Sequence, residues 1–190
     1  MNYVGKIIVG LSLMFSVAMT GSMASAMTVT GLSQGMTVAY KTVMTSDQSG
    51  NKIKFVVKNN VLHLMSGDGA EDFMTFGSFD GIYTNIDYNV RAIETTDPAK
   101  RLFEITATRG ASEKSCGYWL IGQQEGSWTT YVSWNSLANI GFYTNQWHRL
   151  VSTIENQQIV LTSYDRYNHV DFKTQIFWDD SSDWFGLRRY

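Results

Sequence analysis

The feature that most narrows the fold of this chain is a period of two in its hydrophobic pattern, broken by turn-forming residues about every ten positions. In the stretch from Lys52 to Lys58, Ile53, Phe55 and Val57 share one side, while Lys52, Lys54 and Lys58 share the other with Val56. Successive side chains of a strand point to opposite faces, so this is the pattern of a half-exposed strand. Asn59-Asn60 follows, and Asn tolerates positive φ, which predicts a two-residue hairpin turn into Val61-Leu62-His63-Leu64-Met65.

The same reading repeats downstream. From Arg101 to Thr108, Phe103, Ile105 and Ala107 alternate with Leu102, Glu104 and Thr106, after a turn containing the only proline, Pro98. Two runs, Trp147 to Ile154 and Gln158 to Ser163, flank a hairpin at Glu155-Asn156-Gln157, and Val170, Phe172, Thr174, Ile176 and Trp178 share a face near the end. Residues 27–190 therefore read as one all-β domain, an antiparallel β-sandwich or closed barrel of about ten to twelve strands built from hairpins. At most one short helix is expected, over Asn135 to Ile140, capped by Asn135 and ended by Gly141.

Residues 1–26 have a different character. Lys6 precedes an uncharged, mostly apolar run from Ile7 to Met19, followed by small residues that end in Ala24-Ser25-Ala26. This is the pattern of a signal helix cut by signal peptidase after Ala26, with Ala24 and Ala26 as the small side chains and Met27 as the new first residue. The apolar run is shorter than the roughly 20 residues needed to cross a bilayer, and no second run of spanning length follows. The expected location is the periplasm or the outside of a bacterial cell.

Removal of the signal takes Lys6 with it and leaves 14 Lys and Arg against 17 Asp and Glu, a net charge of −3. No basic run exceeds two residues, as at Arg188-Arg189, which argues against nucleic acid as a partner, since phosphate neutralisation needs clustered cations. One cysteine, Cys116, excludes an internal disulfide and reads as a buried, inert thiol.

Motifs of catalysis are weak. Gly31-Leu32-Ser33-Gln34-Gly35 spells the serine-hydrolase elbow, but no long apolar strand precedes it and strand-like residues follow, so it reads as a flexible lead-in. His63, His148 and His169 are too widely spaced for a local metal pattern; His63 and His148 are expected to bond at a sheet surface or edge, and His169 to lie in a turn. The acidic loops at 66–72 and 179–183 lack a calcium-loop pattern and read as solvated turns. Neither a metal nor an organic cofactor is implied. Glu94, Glu104, Glu125 and Asp165 are available for glycoside chemistry, but nothing pairs them.

All six tryptophans lie after Tyr118. A ring held on a sheet face stacks on the apolar side of a sugar or packs into a protein groove, which nominates Trp128, Tyr131, Trp134 and Trp147 as ligand-facing, with Trp128 and Trp134 on one strand face. The expected function is a noncatalytic binding module of the cell envelope or outside space, with a carbohydrate or an envelope protein as its partner. The alternatives are a barrel holding a small apolar ligand and a hydrolase with a dispersed site.

Overall fold

The computed structural model describes residues 27–38, 42–77, 85–143 and 146–190. The expected signal helix at 1–26, with Ala24 and Ala26, lies outside the described residues; Met27 is the first of them. Among the described residues the fold is all-β with one short α-helix, and the strands form three antiparallel sheets.

A central sheet contains β1 (Val29–Leu32), β2 (Met36–Thr37), β7 (Ile86–Thr95), β8 (Leu102–Arg109), β9 (Lys114–Gln124) and β10 (Ser127–Ser133). Its order is β1-β7-β8-β9-β10, with β2 also paired to β7. One outer sheet is the meander β3 (Val43–Ser46), β4 (Lys52–Lys58), β5 (Val61–Ser66) and β6 (Asp72–Phe76). The other is the meander β11 (Arg149–Glu155), β12 (Gln158–Tyr164), β13 (Val170–Asp179) and β14 (Trp184–Arg189). The fourteen strands among the described residues exceed the ten to twelve expected, and none of the sheets closes into a barrel. The expectation fell short at the amino-terminal end, where β1 to β3 are only two to four residues long, too short to show an alternation.

Two apolar cores explain the layering. Phe103, Ile105 and Ala107 of β8 pack with Tyr88, Val90 and Ile121 against Ile53, Phe55, Leu62 and Leu64 of the β3–β6 sheet. Leu102 of β8 packs from the opposite side, with Tyr118 and Leu120, against Ile159, Leu161, Phe172 and Ile176 of the β11–β14 sheet. The central sheet is thus covered on both faces, which is why β9 is buried along nearly its whole length instead of at every second residue. Each fully buried aliphatic or aromatic side chain contributes about 1.5–3 kcal/mol of transfer free energy.

Burial on both faces also encloses Glu104, which lies among the apolar residues of β8 and is fully inaccessible. Its carboxylate accepts hydrogen bonds from Arg91 Nε on β7, from Tyr118 Oη on β9 at 2.9 Å, and from Ser152 Oγ on β11. The Arg91 Nη2 donates onward to the Ser152 carbonyl at 3.4 Å. This network joins the central sheet to the β11–β14 sheet, and burial together with the adjacent Glu104 charge pushes the Tyr118 phenol well above its ordinary pKa.

Turns follow the sequence closely. Asn59 and Asn60 (φ 52° and 63°), Glu125 and Gly126 (51° and 81°) and Asn156 and Gln157 (50° and 61°) each place two residues at positive φ, as the tightest hairpins require. The helix α1 (Trp134–Asn139) begins one residue earlier than expected, with Ser133 and Ser136 bonding reciprocally as a capping box in place of Asn135. It ends as expected at Gly141 (φ 98°), where Gly141 N–H donates to Ala138 and Phe142 N–H to Leu137, both at 3.0 Å.

The Gly31–Gly35 segment is not a loose lead-in. It carries β1 into β2, both paired to β7; Ser33 Oγ accepts the Ala92 N–H at 2.8 Å, and the Ser33 N–H donates to the Ala92 carbonyl. A Cβ on Gly35 would meet the Asn89 side chain at 2.2 Å, so this glycine lets the chain approach β7. Among the described residues no helix is long and apolar enough to cross a membrane.

Replacing Glu104 with Ala strands Arg91 and leaves the buried Tyr118 and Ser152 hydroxyls without their acceptor. Denaturant unfolding is expected to show a loss of about 3 kcal/mol or more; a loss under 1 kcal/mol would show that the network does not hold the two sheets together.

Candidate functional site

The four nominated aromatic residues do not converge. β10 carries a bulge between Thr130 and Val132, so Tyr131 is an extra residue opposite β9. Before the bulge, Trp128 opposes Gln123 and packs against the core shared with β3–β6. After it, Val132 opposes Leu120 and joins the core on the β11–β14 side, where Trp134, the first residue of α1, also packs instead of sharing a face with Trp128. The alternation read in the sequence assumed an unbroken strand.

Tyr131 and Trp134 are core residues, each 3% exposed. Tyr131 packs edge-on against Trp184, Phe185 and Trp178 at 4.9, 5.4 and 6.0 Å, and Trp134 against Phe142 at 5.0 Å. Trp147 is half-buried and lines a cleft of about 400 Å³ with Gln146, Asp165, Arg166 and Tyr167.

Trp128 stands at a larger cleft, where a second aromatic ring lies beside it among polar groups. This cleft, about 630 Å³, opens where the turns after β3, β5 and β9 come together, and Asp47, Asn51, Glu71, Asp72, Phe73 and Gln123 line it with Trp128. The half-buried Phe73 and Trp128 rings lie 6.2 Å apart at an angle of 34°, and Phe103 backs Trp128 at the same distance. Asp47 shapes one wall. Its Oδ1 accepts the Ser49 and Asn51 N–H groups at 2.9 and 2.8 Å, and its Oδ2 accepts Asn51 Nδ2 at 3.1 Å and Gln123 Nε2 at 3.5 Å. The Gln48 N–H in turn donates to Gln123 Oε1 at 3.3 Å, which ties the β3–β4 turn to the central sheet. On the other wall Asp72 pairs with His63 Nδ1 across β5 and β6.

Sequence reading missed Phe73 and Asp47 as neighbours of Trp128 because they come from two other hairpins; Gln123 is its cross-strand partner in the β9–β10 hairpin. The local signal for Asp47 is the Asx-turn spelling Asp47-Gln48-Ser49-Gly50, which predicts a turn but not what it faces.

The histidines divide. His169 lies in the turn after β12 as expected, where Asp165 accepts its N–H at 2.9 Å and that of Tyr167 at 2.8 Å; these bonds hold the Asp165 carboxyl below its ordinary pKa. His148 is not at a surface; it is 1% exposed. Ser163 Oγ and Asp171 Oδ2 lie 2.8 and 3.5 Å from the same nitrogen, Nδ1, whereas a Ser-His-Asp relay needs them on opposite nitrogens. Glu104 is sealed between sheets and cannot meet a substrate. In the acidic loops, Asp68 accepts from Ser66 Oγ and Ala70 N–H, and Asp179 from Ser181 and Ser182, so these carboxylates cap their own turns and their pKa values fall.

No protein-family model matches the chain, and a search of curated proteins returns no significant match.

Two outcomes follow from these placements. Trp134→Ala empties a buried site and should cost about 3–5 kcal/mol in denaturant unfolding, while Trp128→Ala should leave a folded protein; equal losses would place Trp128 in the core as well. Burial, outweighing the neighbouring Asp171, lowers the His148 pKa below its ordinary 6.5. The unfolded chain therefore binds this proton more readily than the folded one, and the stability tied to neutral His148 is present above pH 6.5 and lost as pH falls below it. The stability of wild type should drop more steeply than that of His148→Gln between about pH 6.5 and 5; parallel profiles would refute the assignment.

Proposed function

We propose that this chain is an exported, noncatalytic binding module that takes a carbohydrate in the Trp128–Phe73 cleft. The observation that carries the reading is a half-buried Trp128 ring set beside Phe73 and beside carboxylate, amide and hydroxyl groups in one cleft. A pyranose ring has an apolar face of C–H groups and a rim of hydroxyls. The aromatic wall suits the first, and Glu71, Asn51 and Ser127 supply acceptors and donors for the second. Phe103 behind Trp128 and the Asp47–Gln123 bonds hold the walls in place before a ligand arrives, which lowers the ordering cost of binding.

A second reading, an envelope protein as partner, is favoured by the other end of the molecule. There Tyr167, which lines the Trp147 cleft, is 71% exposed, and large exposed rings are enriched at protein interfaces.

Titration of the exported chain with soluble glycans and cell-wall fragments, followed by tryptophan fluorescence, tests the first reading. A saturable change is expected, with Trp128→Ala losing at least tenfold in affinity, about 1.4 kcal/mol, while remaining folded. No response to any glycan, or a response untouched by Trp128→Ala, would overturn it.

A further inference from the structure

We infer that cleavage after Ala26 installs an ion pair: the new α-ammonium of Met27 seats on the carboxylate of Asp180 and pins the first strand to the β13–β14 turn. This inference rests on the export reading above. In the cleavage, water adds across the Ala26–Met27 peptide bond under a signal peptidase; Ala26 leaves with the carboxylate, and Met27 keeps the nitrogen, which takes a proton.

The receiving site is already formed around the Met27 nitrogen. That N–H donates to Asp180 Oδ1 at 3.3 Å, and the same oxygen accepts Trp178 Nε1 at 3.0 Å, which fixes the carboxylate in place. The Met27 side chain is 7% exposed and belongs to the core under β11–β14. The residues after it are tied down as well: the Thr28 N–H donates to Thr96 Oγ1 at 3.0 Å, and the Val29 N–H to the Gln157 carbonyl at 3.2 Å. The nitrogen is thus held where the cut would leave it.

The charges around it favour a cation. Met27 borders a cleft of about 370 Å³ whose charged lining is Asp97, Asp180, Asp183 and Lys100. Lys100 is committed to Asp183, at 3.0 Å, and to the Trp178 ring, at 4.9 Å from its centroid. Among the described residues that line the cleft, Lys100 is the one cation for three carboxylates, and an ammonium at Met27 adds a second where an amide N–H supplies only a dipole.

The test uses the full chain exported from a bacterial host. Intact mass gives the first residue of the recovered protein. Its amines are then labelled by reductive methylation with 13C-formaldehyde, and the α-amine is titrated by NMR in wild type and in Asp180→Asn. The expected product begins at Met27, its α-amine titrates at least half a unit above the ordinary range of about 7.7–8.0, and Asp180→Asn returns it to that range. If Asp180→Asn does not fold, 1 M salt on the wild-type protein, where screening reaches about 3 Å, should give part of the same return. A product beginning elsewhere overturns the cleavage and the ion pair together. A product beginning at Met27 whose α-amine titrates in the ordinary range, or is unmoved by both Asp180→Asn and salt, overturns the ion pair alone.

Discussion

A β-sheet covered on both faces has nowhere to put a charge except inside the protein, and the rest of this fold is arranged around that condition. The central sheet carries Glu104 at its middle strand, and the cost of enclosing a carboxylate is met by three donors from three different strands, Arg91, Tyr118 and Ser152. One of these belongs to an outer sheet. The polar network therefore fixes which sheet lies against that face and in what register, something the apolar contacts around it, being non-directional, cannot do alone.

The two outer sheets are meanders of consecutive strands, and two-residue turns at Asn59-Asn60 and Asn156-Gln157 join their longest hairpins. Local pairing of this kind costs little loop entropy, so each meander is specified largely by its own sequence. The central sheet differs. It takes β1 and β2 from before the first meander and β7 to β10 from after it, and so depends on contacts distant in the chain. Clefts form where hairpin ends from the central and outer sheets meet, which is why the Trp128 cleft has walls from three turns and why chemistry was hard to place from spacing alone.

Bulges decide the fate of the aromatic residues. The extra residue at Tyr131 reverses the faces of β10, sending Val132 into the core that also takes Trp134 of α1 and leaving Trp128 at the rim of the other. A second bulge, at Cys116 between the partners of Ala107 and Thr108, turns the thiol into the core shared with β3–β6. A one-residue insertion exchanges every later side chain between faces, so a correct alternation on either side of a bulge still yields a wrong grouping across it.

The sequence by itself determined the all-β class, the antiparallel pairing, the positions of the tight turns and the single helix with its glycine stop. These rest on local rules: the alternation of side chains along a strand, the φ angles open to Asn and Gly, and hydrogen bonds between residues a few positions apart. Only the tertiary structure decided that there are three open sheets and not a barrel, that the middle one is buried on both sides, and which of the tryptophans line clefts and which fill cores. Those outcomes depend on which faces meet across long stretches of chain, and burial on both faces removes the polar alternation that would have announced it. Phe103 and Leu102 look alike in the sequence, yet they point into different cores.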